Sequence, residues 1–416
     1  MTKIRIEGNH LLTGEITISG AKNSAVALIP AAILCDEVVT ISNVPDISDI
    51  AALEEILTHL QAKVDRTNDI VKIDSSRIVN LEIPDELSNK LRASYYFMGA
   101  LLGKFKKVEI YFPGGCSIGK RPINLHLKGF EALGATVTEE EDHFLIEARE
   151  LIGNKIYLDI PSVGATINIM LAAVKATGKT IIKNAAKEPE IVNVATLLNN
   201  MGAKIKGAGT NVITIEGVTY LHACFHEVIP DRIEAGTYLI IAALLGKNLK
   251  ISRLIPSHLE SLTSKLIEAG VQLEINDDNI VVNEVNDYHA INVKTLTYPG
   301  FPTDLQQPLI PFLTACHGTS IMEETIYENR FLNIPDTIKM GANITVKDEK
   351  IAIIKGKTPL LGQEVIATDL RGGASMLICG LIAEGITTID NIHYILRGYD
   401  NIVDKLKKVG AKIELI

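Results

Sequence analysis

Tryptophan is absent from this 416-residue chain, aromatic residues make up only 5% of it, and cysteine occurs five times. The cysteines, Cys35, Cys116, Cys224, Cys316 and Cys379, are odd in number and widely spaced, and no CxxC pair occurs. That excludes a disulfide framework and a structural zinc knuckle, and it points to a reducing compartment, so a cytoplasmic protein is expected. Long apolar runs are also missing, although the chain is 47% hydrophobic with a mean hydropathy of +0.20. The longest run, residues 25–35, contains Pro30 and stops at Asp36 and Glu37, and residues 238–245 form a shorter one. Neither approaches the roughly 20 residues that cross a bilayer, so no membrane span is expected. The start, Met1-Thr2-Lys3-Ile4-Arg5-Ile6-Glu7, lacks the apolar stretch of a signal peptide. Dense basic stripes are lacking too, and the net charge is −9, which speaks against nucleic acid as a partner. An anionic ligand must then be held by local cations against the overall field.

What the chain does have is length and periodicity. Its length calls for two or more cores. An apolar residue followed by Gly-Ala and a strand recurs at Leu133-Gly134-Ala135, Met201-Gly202-Ala203, Met340-Gly341-Ala342 and Val409-Gly410-Ala411, with weaker copies at Gln61-Ala62 and Gly270-Val271. The copies are spaced about 70 residues apart, so six units account for the chain. The glycine reads as the left-handed residue that ends a helix. Before each copy, a polar turn opens a helix of small apolar residues: Gly20-Ala21-Lys22-Asn23-Ser24, Leu91-Arg92-Ala93-Ser94, Pro161-Ser162-Val163-Gly164-Ala165, Pro230-Asp231-Arg232-Ile233-Glu234, Phe301-Pro302-Thr303-Asp304 and Thr368-Asp369-Leu370-Arg371. These helices are apolar nearly all round, which places them in a core. The strands alternate instead, as in Glu15-Ile16-Thr17-Ile18-Ser19 and Leu249-Lys250-Ile251-Ser252, so one face of each sheet is wet. Buried helices with half-wet sheets predict an inside-out α/β architecture.

The six turns share one position, the N-terminus of a buried helix, where free N–H groups and the dipole favour an anion. Lys22, Arg92, Arg232, Asp304, Asp369 and Arg371 sit on them. Capping by Asp, Ser and Thr with solvated basic neighbours is one reading. Cations at several helix starts run against the dipole, however, and imply an anion nearby. A second feature is the loop Pro113-Gly114-Gly115-Cys116-Ser117-Ile118-Gly119-Lys120-Arg121-Pro122. Its glycines give it freedom, and a thiol beside Lys120 and Arg121 is either a reactive group or a small loop residue without a role. The other four cysteines lie in or beside apolar runs and read as core.

These turns and the Cys116 loop, together with Glu188-Pro189-Glu190, Glu328-Asn329-Arg330-Phe331 and Arg397-Gly398-Tyr399, resemble in sequence and order the enolpyruvyl transferases that act on UDP-N-acetylglucosamine. The likeness runs from Lys3 to Ile413 and is closest to Gram-positive forms. It implies a two-domain inside-out α/β barrel, with residues 1–19 plus 231–416 forming one domain. Residues 20–230 form the other, which carries the Cys116 loop, and the reaction takes place in the cleft between the two. It also implies transfer of the enolpyruvyl group of phosphoenolpyruvate to the 3-hydroxyl of UDP-N-acetylglucosamine, the first committed step of peptidoglycan synthesis, with no cofactor and no metal.

Carried onto this chain, the resemblance makes Cys116 the general acid, Asp304 the base, and Lys22, Arg121 and Arg397 the holders of phosphoenolpyruvate, with Arg371 beside them. Asn23 touches both substrates. Arg92, Arg121, Pro122, Ile123, Asn124, Leu125, Ser162, Val163 and Ile326 line the UDP-sugar pocket. An N-cap role for Asp304 is compatible with its catalytic one. Asn124 stands where many members have Asp, Ile160 where some have Lys, and Leu396 where a polar residue is common; these touch nucleotide affinity rather than chemistry. Two rival readings are a shikimate 3-phosphate enolpyruvyl transferase and a non-catalytic UDP-sugar-binding paralogue. The Cys116 loop and the Lys22–Asn23 pair point away from the first, and the full set of catalytic residues from the second. Thiol-directed epoxides such as fosfomycin are expected to attack Cys116.

Overall fold

The computed structural model describes residues 2–88, 92–111, 123–283 and 287–416. Among them the chain divides into two compact units, one running from Gly20 to Ile229 and the other combining the segment up to Ser19 with Pro230–Ile416. Each has its own hydrophobic core.

In the first unit three apolar helices, Lys22–Ala32, Tyr96–Phe105 and Val163–Ala173, are buried along almost their whole length. In the second the equivalent helices are Arg232–Leu245, Gln306–Ala315 and Leu370–Ile382. Helices this uniformly apolar have no face to offer water, so they pack on one another. Close packing demands small residues at the crossings. A Cβ placed on Gly99 would meet the Asn168 carbonyl oxygen at 2.4 Å, so no larger residue fits there.

The sheets form the outside. In the second unit they run, in hydrogen-bonded order, Glu364–Ile366, Ile386–Asp390, Ile4–Glu7, Lys412–Leu415; then Leu273–Ile275, Asn279–Val282, Gly246–Ser252, Leu12–Thr17; then Asn292–Lys294, Gly318–Glu323, Ile351–Gly356, Asn343–Lys347. The first unit has two four-stranded sheets and a three-stranded one, Lys107–Tyr111, His143–Glu147, Thr136–Glu139. There the fourth strand shrinks to a single parallel bridge, Ile83 to Ile110. Burial alternates along the strands: in Val38–Ser42, Val39 and Ile41 are fully buried while Val38 is exposed. Each fully buried aliphatic side chain contributes about 1.5–3 kcal/mol, which is why the inward set is so consistently Val, Ile and Leu. Buried helices wrapped by half-wet sheets are the inside-out α/β arrangement that the sequence pattern predicts.

The repeat also has the predicted joint. Gly134, Gly202, Gly270, Gly341 and Gly410 all have φ between 93° and 113°, the region L-residues avoid, and each ends an outer helix before a strand. In the first copy, where no glycine is present, Gln61 takes the same left-handed turn at φ 67°.

Candidate active site

The second unit gathers charged side chains at the entry of its buried helices. Pro302, extended at φ −73° and ψ 134°, turns the chain into a short 3-10 segment, Thr303–Leu305, that leads straight into Gln306–Ala315. Asp304 lies in that segment, whose N-cap position is taken by Pro302. Two guanidinium groups hold its side chain. Arg330 donates from Nη2 to Oδ1 at 2.6 Å, and Arg371 donates from Nη2 to Oδ2 at 3.0 Å. The Asp304 side chain keeps 25% of its surface exposed, while those of Arg330 and Arg371 keep 2% and 6%. The carboxylate is therefore oriented by two buried guanidinium groups while a quarter of its own surface stays exposed. Charge-assisted bonds of this kind set orientation more firmly than neutral ones.

Arg330 lies 5.4 Å from the Tyr327 ring centre, and Arg371 lies 5.5 Å from that of Tyr399. Arg371 Nη1 also bonds the Tyr399 hydroxyl at 3.2 Å, which in turn pairs with Thr237 Oγ1 at 3.0 Å. Tyr399 is fully enclosed, and burial pushes its pKa upward against the pull of Arg371, so it stays a neutral phenol. Asp369 caps the last buried helix, accepting from the Arg371 and Gly372 amides at 2.9 and 3.1 Å. The turn that carries Arg397 comes to the same place, because Gly398 packs on Leu370 at the start of that helix. Arg371 was read as a fourth ligand of the phosphate donor. It is buried with its guanidinium engaged on Asp304 and Tyr399, a placement suited to fixing Asp304.

In the first unit Lys22 opens its helix, and its Nζ pairs with Asp49 Oδ2 at 2.8 Å. Asp49 is buried in the helix Ser48–His59 and answers a cation that the dipole at Lys22 disfavours. Asn23 follows, half-buried. Lys22 and Arg371 each pair with a protein carboxylate, Asp49 and Asp304. Arg232 instead lies 5.5 Å from the Tyr298 ring centre.

Ser162 caps Val163–Ala173 by accepting from the Ala165 amide at 3.3 Å. The turn it makes with Val163 and Gly164 rests on His126, whose ring would lie 2.9 Å from a Cβ on Gly164. Asn168 Nδ2 lies 2.9 Å from His126 Nδ1 and its Oδ1 accepts from the Gly99 amide, so the network assigns the acceptor role to Nδ1. Burial lowers the His126 pKa to about 3, and the ring stays neutral. Ile123 precedes the helix Asn124–Ala132, with Asn124 exposed at its first position. The Leu125 side chain packs into the core, so any pocket role there falls to its backbone. Ile160, 60% exposed, stands just ahead of Ser162.

Cys116, Arg121 and Pro122 lie outside the described residues, as does the side chain of Arg92, whose backbone is in the 3-10 turn Arg92–Tyr95. The four described cysteines are free thiols. Burial raises the pKa of Cys224 to about 11 and those of Cys316 and Cys379 to about 12, so none is a thiolate at neutral pH. Among the described residues no cluster of His, Cys, Asp or Glu could hold a metal ion, and no helix is long and apolar enough to cross a membrane.

The fold thus joins Asp304 to Arg371 directly and to Arg397 through the Tyr399 turn. Separately, it sets Lys22 beside Asn23 and Ser162 beside Val163. Sequence reading assigned no role to Arg330, Glu324, Tyr399, Thr237 or Asp49. Arg330 and Tyr399 lie in the motifs Glu328-Asn329-Arg330-Phe331 and Arg397-Gly398-Tyr399, while Glu324 carries no such signal beyond standing close to the half-buried Ile326.

The family model for EPSP synthase (3-phosphoshikimate 1-carboxyvinyltransferase) matches residues 6–406. UDP-N-acetylglucosamine 1-carboxyvinyltransferase 2 of Bacillus cereus is 55% identical over 414 residues, covering 99% of this chain and 96% of its own. The protein of the same name from Streptococcus pneumoniae is 53% identical over 418 residues, with both chains fully covered. Among solved structures, the enolpyruvyl transferase NikO from Streptomyces tendae superposes with a TM-score of 0.91 at 25% identity, covering 100% of this chain and 98% of its own. EPSP synthase from Acinetobacter baumannii shares the fold at a TM-score of 0.75 and 18% identity, with both chains fully covered.

Proposed function

The chain belongs to the UDP-N-acetylglucosamine 1-carboxyvinyltransferases, within the EPSP synthase family, and from that premise we propose that Asp304, Cys116, Lys22 and Arg397 transfer the enolpyruvyl group of phosphoenolpyruvate to the 3-hydroxyl of UDP-N-acetylglucosamine. The observation that carries this reading is the Asp304 carboxylate, oriented by Arg330 and Arg371 and a quarter exposed.

Protonation of the methylene carbon of phosphoenolpyruvate makes the neighbouring carbon cationic, and Cys116 supplies that proton. The sugar 3-hydroxyl attacks the cationic carbon and gives its proton to Asp304. The hydroxyl becomes acidic only as the new C–O bond forms, so a fixed carboxylate suffices as its base. Loss of a methyl proton and of phosphate from the resulting tetrahedral intermediate then yields the enol ether. Lys22, Arg121 and Arg397 take the phosphate and carboxylate, where planar guanidinium forks bond two oxygens at once. Arg92, the segment 121–125, Ser162, Val163 and Ile326 receive the UDP-sugar, and Asn23 bridges the two reactants.

This activity opens peptidoglycan synthesis, and with it cell-wall growth and division. We place it in the cytoplasm, a reading supported by the free thiols among the described residues. Incubating the purified protein with phosphoenolpyruvate and either acceptor tests the proposal. The expected result is one phosphate released per enolpyruvyl UDP-sugar formed. Phosphate release with shikimate 3-phosphate alone, or with neither acceptor, overturns it.

A further inference from the structure

We propose that Glu324 is a positioning residue that couples the Asp304 turn to the Ile326 loop, acting through the hydroxyl of Thr303. Glu324 is 1% exposed and directly follows the strand Gly318–Glu323. Four donors converge on its carboxylate. Oε1 accepts from Thr295 Oγ1 at 3.0 Å, from the Ile326 amide at 2.8 Å and from the Tyr327 amide at 3.1 Å, while Oε2 accepts from Thr303 Oγ1 at 2.9 Å. All four are hydroxyls or backbone amides. A carboxylate is expensive to bury, and it is kept only where fixed donors replace its water. A residue serving packing alone has no need of the charge. Here the charge draws three chain segments, at Thr295, Thr303 and Ile326–Tyr327, onto one point.

A second latch makes the point rigid. The Thr325 amide donates to Thr295 Oγ1 at 2.9 Å and its hydroxyl donates to the Thr295 carbonyl at 2.6 Å, so Thr295 both supports Glu324 and ties down the loop. The consequences are local. Thr303 is the neighbour of Asp304, and the two amides held by Oε1 flank the peptide that carries Ile326. From the far end of the same segment, Arg330 reaches back to Asp304. The base and the loop assigned to the sugar are therefore set by one buried carboxylate, so that loop order and base position change together.

The inference rests on the reading of Asp304 as base, and the test separates the two. Thr303→Val removes only the hydroxyl link to Oε2 and leaves the three bonds to Oε1. Its kcat is expected to fall about 10- to 100-fold, while KM for UDP-N-acetylglucosamine stays within about threefold. Thr303→Ser, which restores the hydroxyl, returns at least half of the lost turnover. Glu324→Gln keeps one acceptor oxygen for the Ile326 and Tyr327 amides and turns an NH2 toward Thr303, so it stays folded and lies between wild type and Glu324→Ala. Glu324→Ala alters kcat and KM together, because it also releases the loop. Wild-type turnover in Thr303→Val, or equal impairment in Thr303→Ser, overturns the inference while leaving the function standing. Wild-type turnover in Asp304→Asn overturns the base assignment, and the inference with it.

Discussion

Arg330 and Asp304 form a 2.6 Å ion pair in which the cation is the buried partner, 2% exposed against 25% for the acid. The arginine is therefore committed to the pair, and the carboxylate alone faces outward. Arg330→Met is expected to lower kcat about 100-fold by freeing one edge of the Asp304 carboxylate, and Asp304→Asn, which removes the proposed base, to lower it about 1,000-fold. Removing one partner of a fully buried pair costs about 3–5 kcal/mol. Asp304 is partly solvated and keeps Arg371, so the Met variant is expected to lose about 1–3 kcal/mol. Steady-state phosphate release and urea unfolding measure the two effects. A stable Met variant with wild-type turnover contradicts the placement.

His126 makes stability depend on acid. Its native pKa, lowered from 6.5 to about 3 by burial, means that below pH 6.5 the unfolded chain takes a proton the folded one refuses. The stabilisation is complete above pH 6.5 and is lost as pH falls toward 3, with a total on the order of 5 kcal/mol. His126→Gln, with its side-chain amide in place of the ring, is expected to flatten the stability profile between pH 6 and 4. Urea midpoints across that range are the measurement, and an unchanged slope in the variant counts against it.

Glu234 works in the opposite direction. It accepts from the Ser19 amide at 2.8 Å and pairs with Lys405, yet burial outweighs that cation and raises its pKa from 4.5 to about 7. The folded chain then holds a proton that the unfolded chain has released. This contribution is full below pH 4.5 and disappears as pH rises through 7, on the order of 3 kcal/mol in all. Wild-type stability is expected to decline from pH 5 to 8 relative to Glu234→Gln, whose slope lacks this term. Parallel slopes in chemical denaturation refute the assignment.

Fosfomycin is expected to modify a single thiol. The described cysteines resist as buried or half-buried thiols, with Cys224, Cys316 and Cys379 raised to about 11 or 12. That leaves Cys116, beside Lys120 and Arg121 in sequence, as the reactive one. Peptide mass spectrometry after treatment should place one adduct on the peptide containing Cys116 and restore a clean spectrum in Cys116→Ala. An adduct on Cys224, or none at all, rules this out.

Much of the architecture was legible before any coordinates. The uniformly apolar helices could only be buried, the alternating strands could only be half-wet, and the glycines of the repeat could only be left-handed joints. Lys22 and Asp304 stood out because each occupies the same turn of a repeated unit. Arg330 appeared only as part of the motif Glu328-Asn329-Arg330-Phe331 and Glu324 not at all, since burial of a charge leaves no trace in local pattern. Asp304 was legible as a residue but not in its setting, since Arg330 and Arg371, which bond its two oxygens, lie 26 and 67 residues away in sequence.

The division of labour has a physical basis. Periodicity is a property of neighbours a few residues apart, so one chain by itself determined the helices, the strands, their wet and dry faces and the turns at which cations collect. The partner of a charge is chosen across tens to hundreds of residues. Only the tertiary structure could decide that Asp49 answers Lys22, that Arg330 and Arg371 share Asp304, and that Glu324 draws Thr303 and Ile326 to one carboxylate.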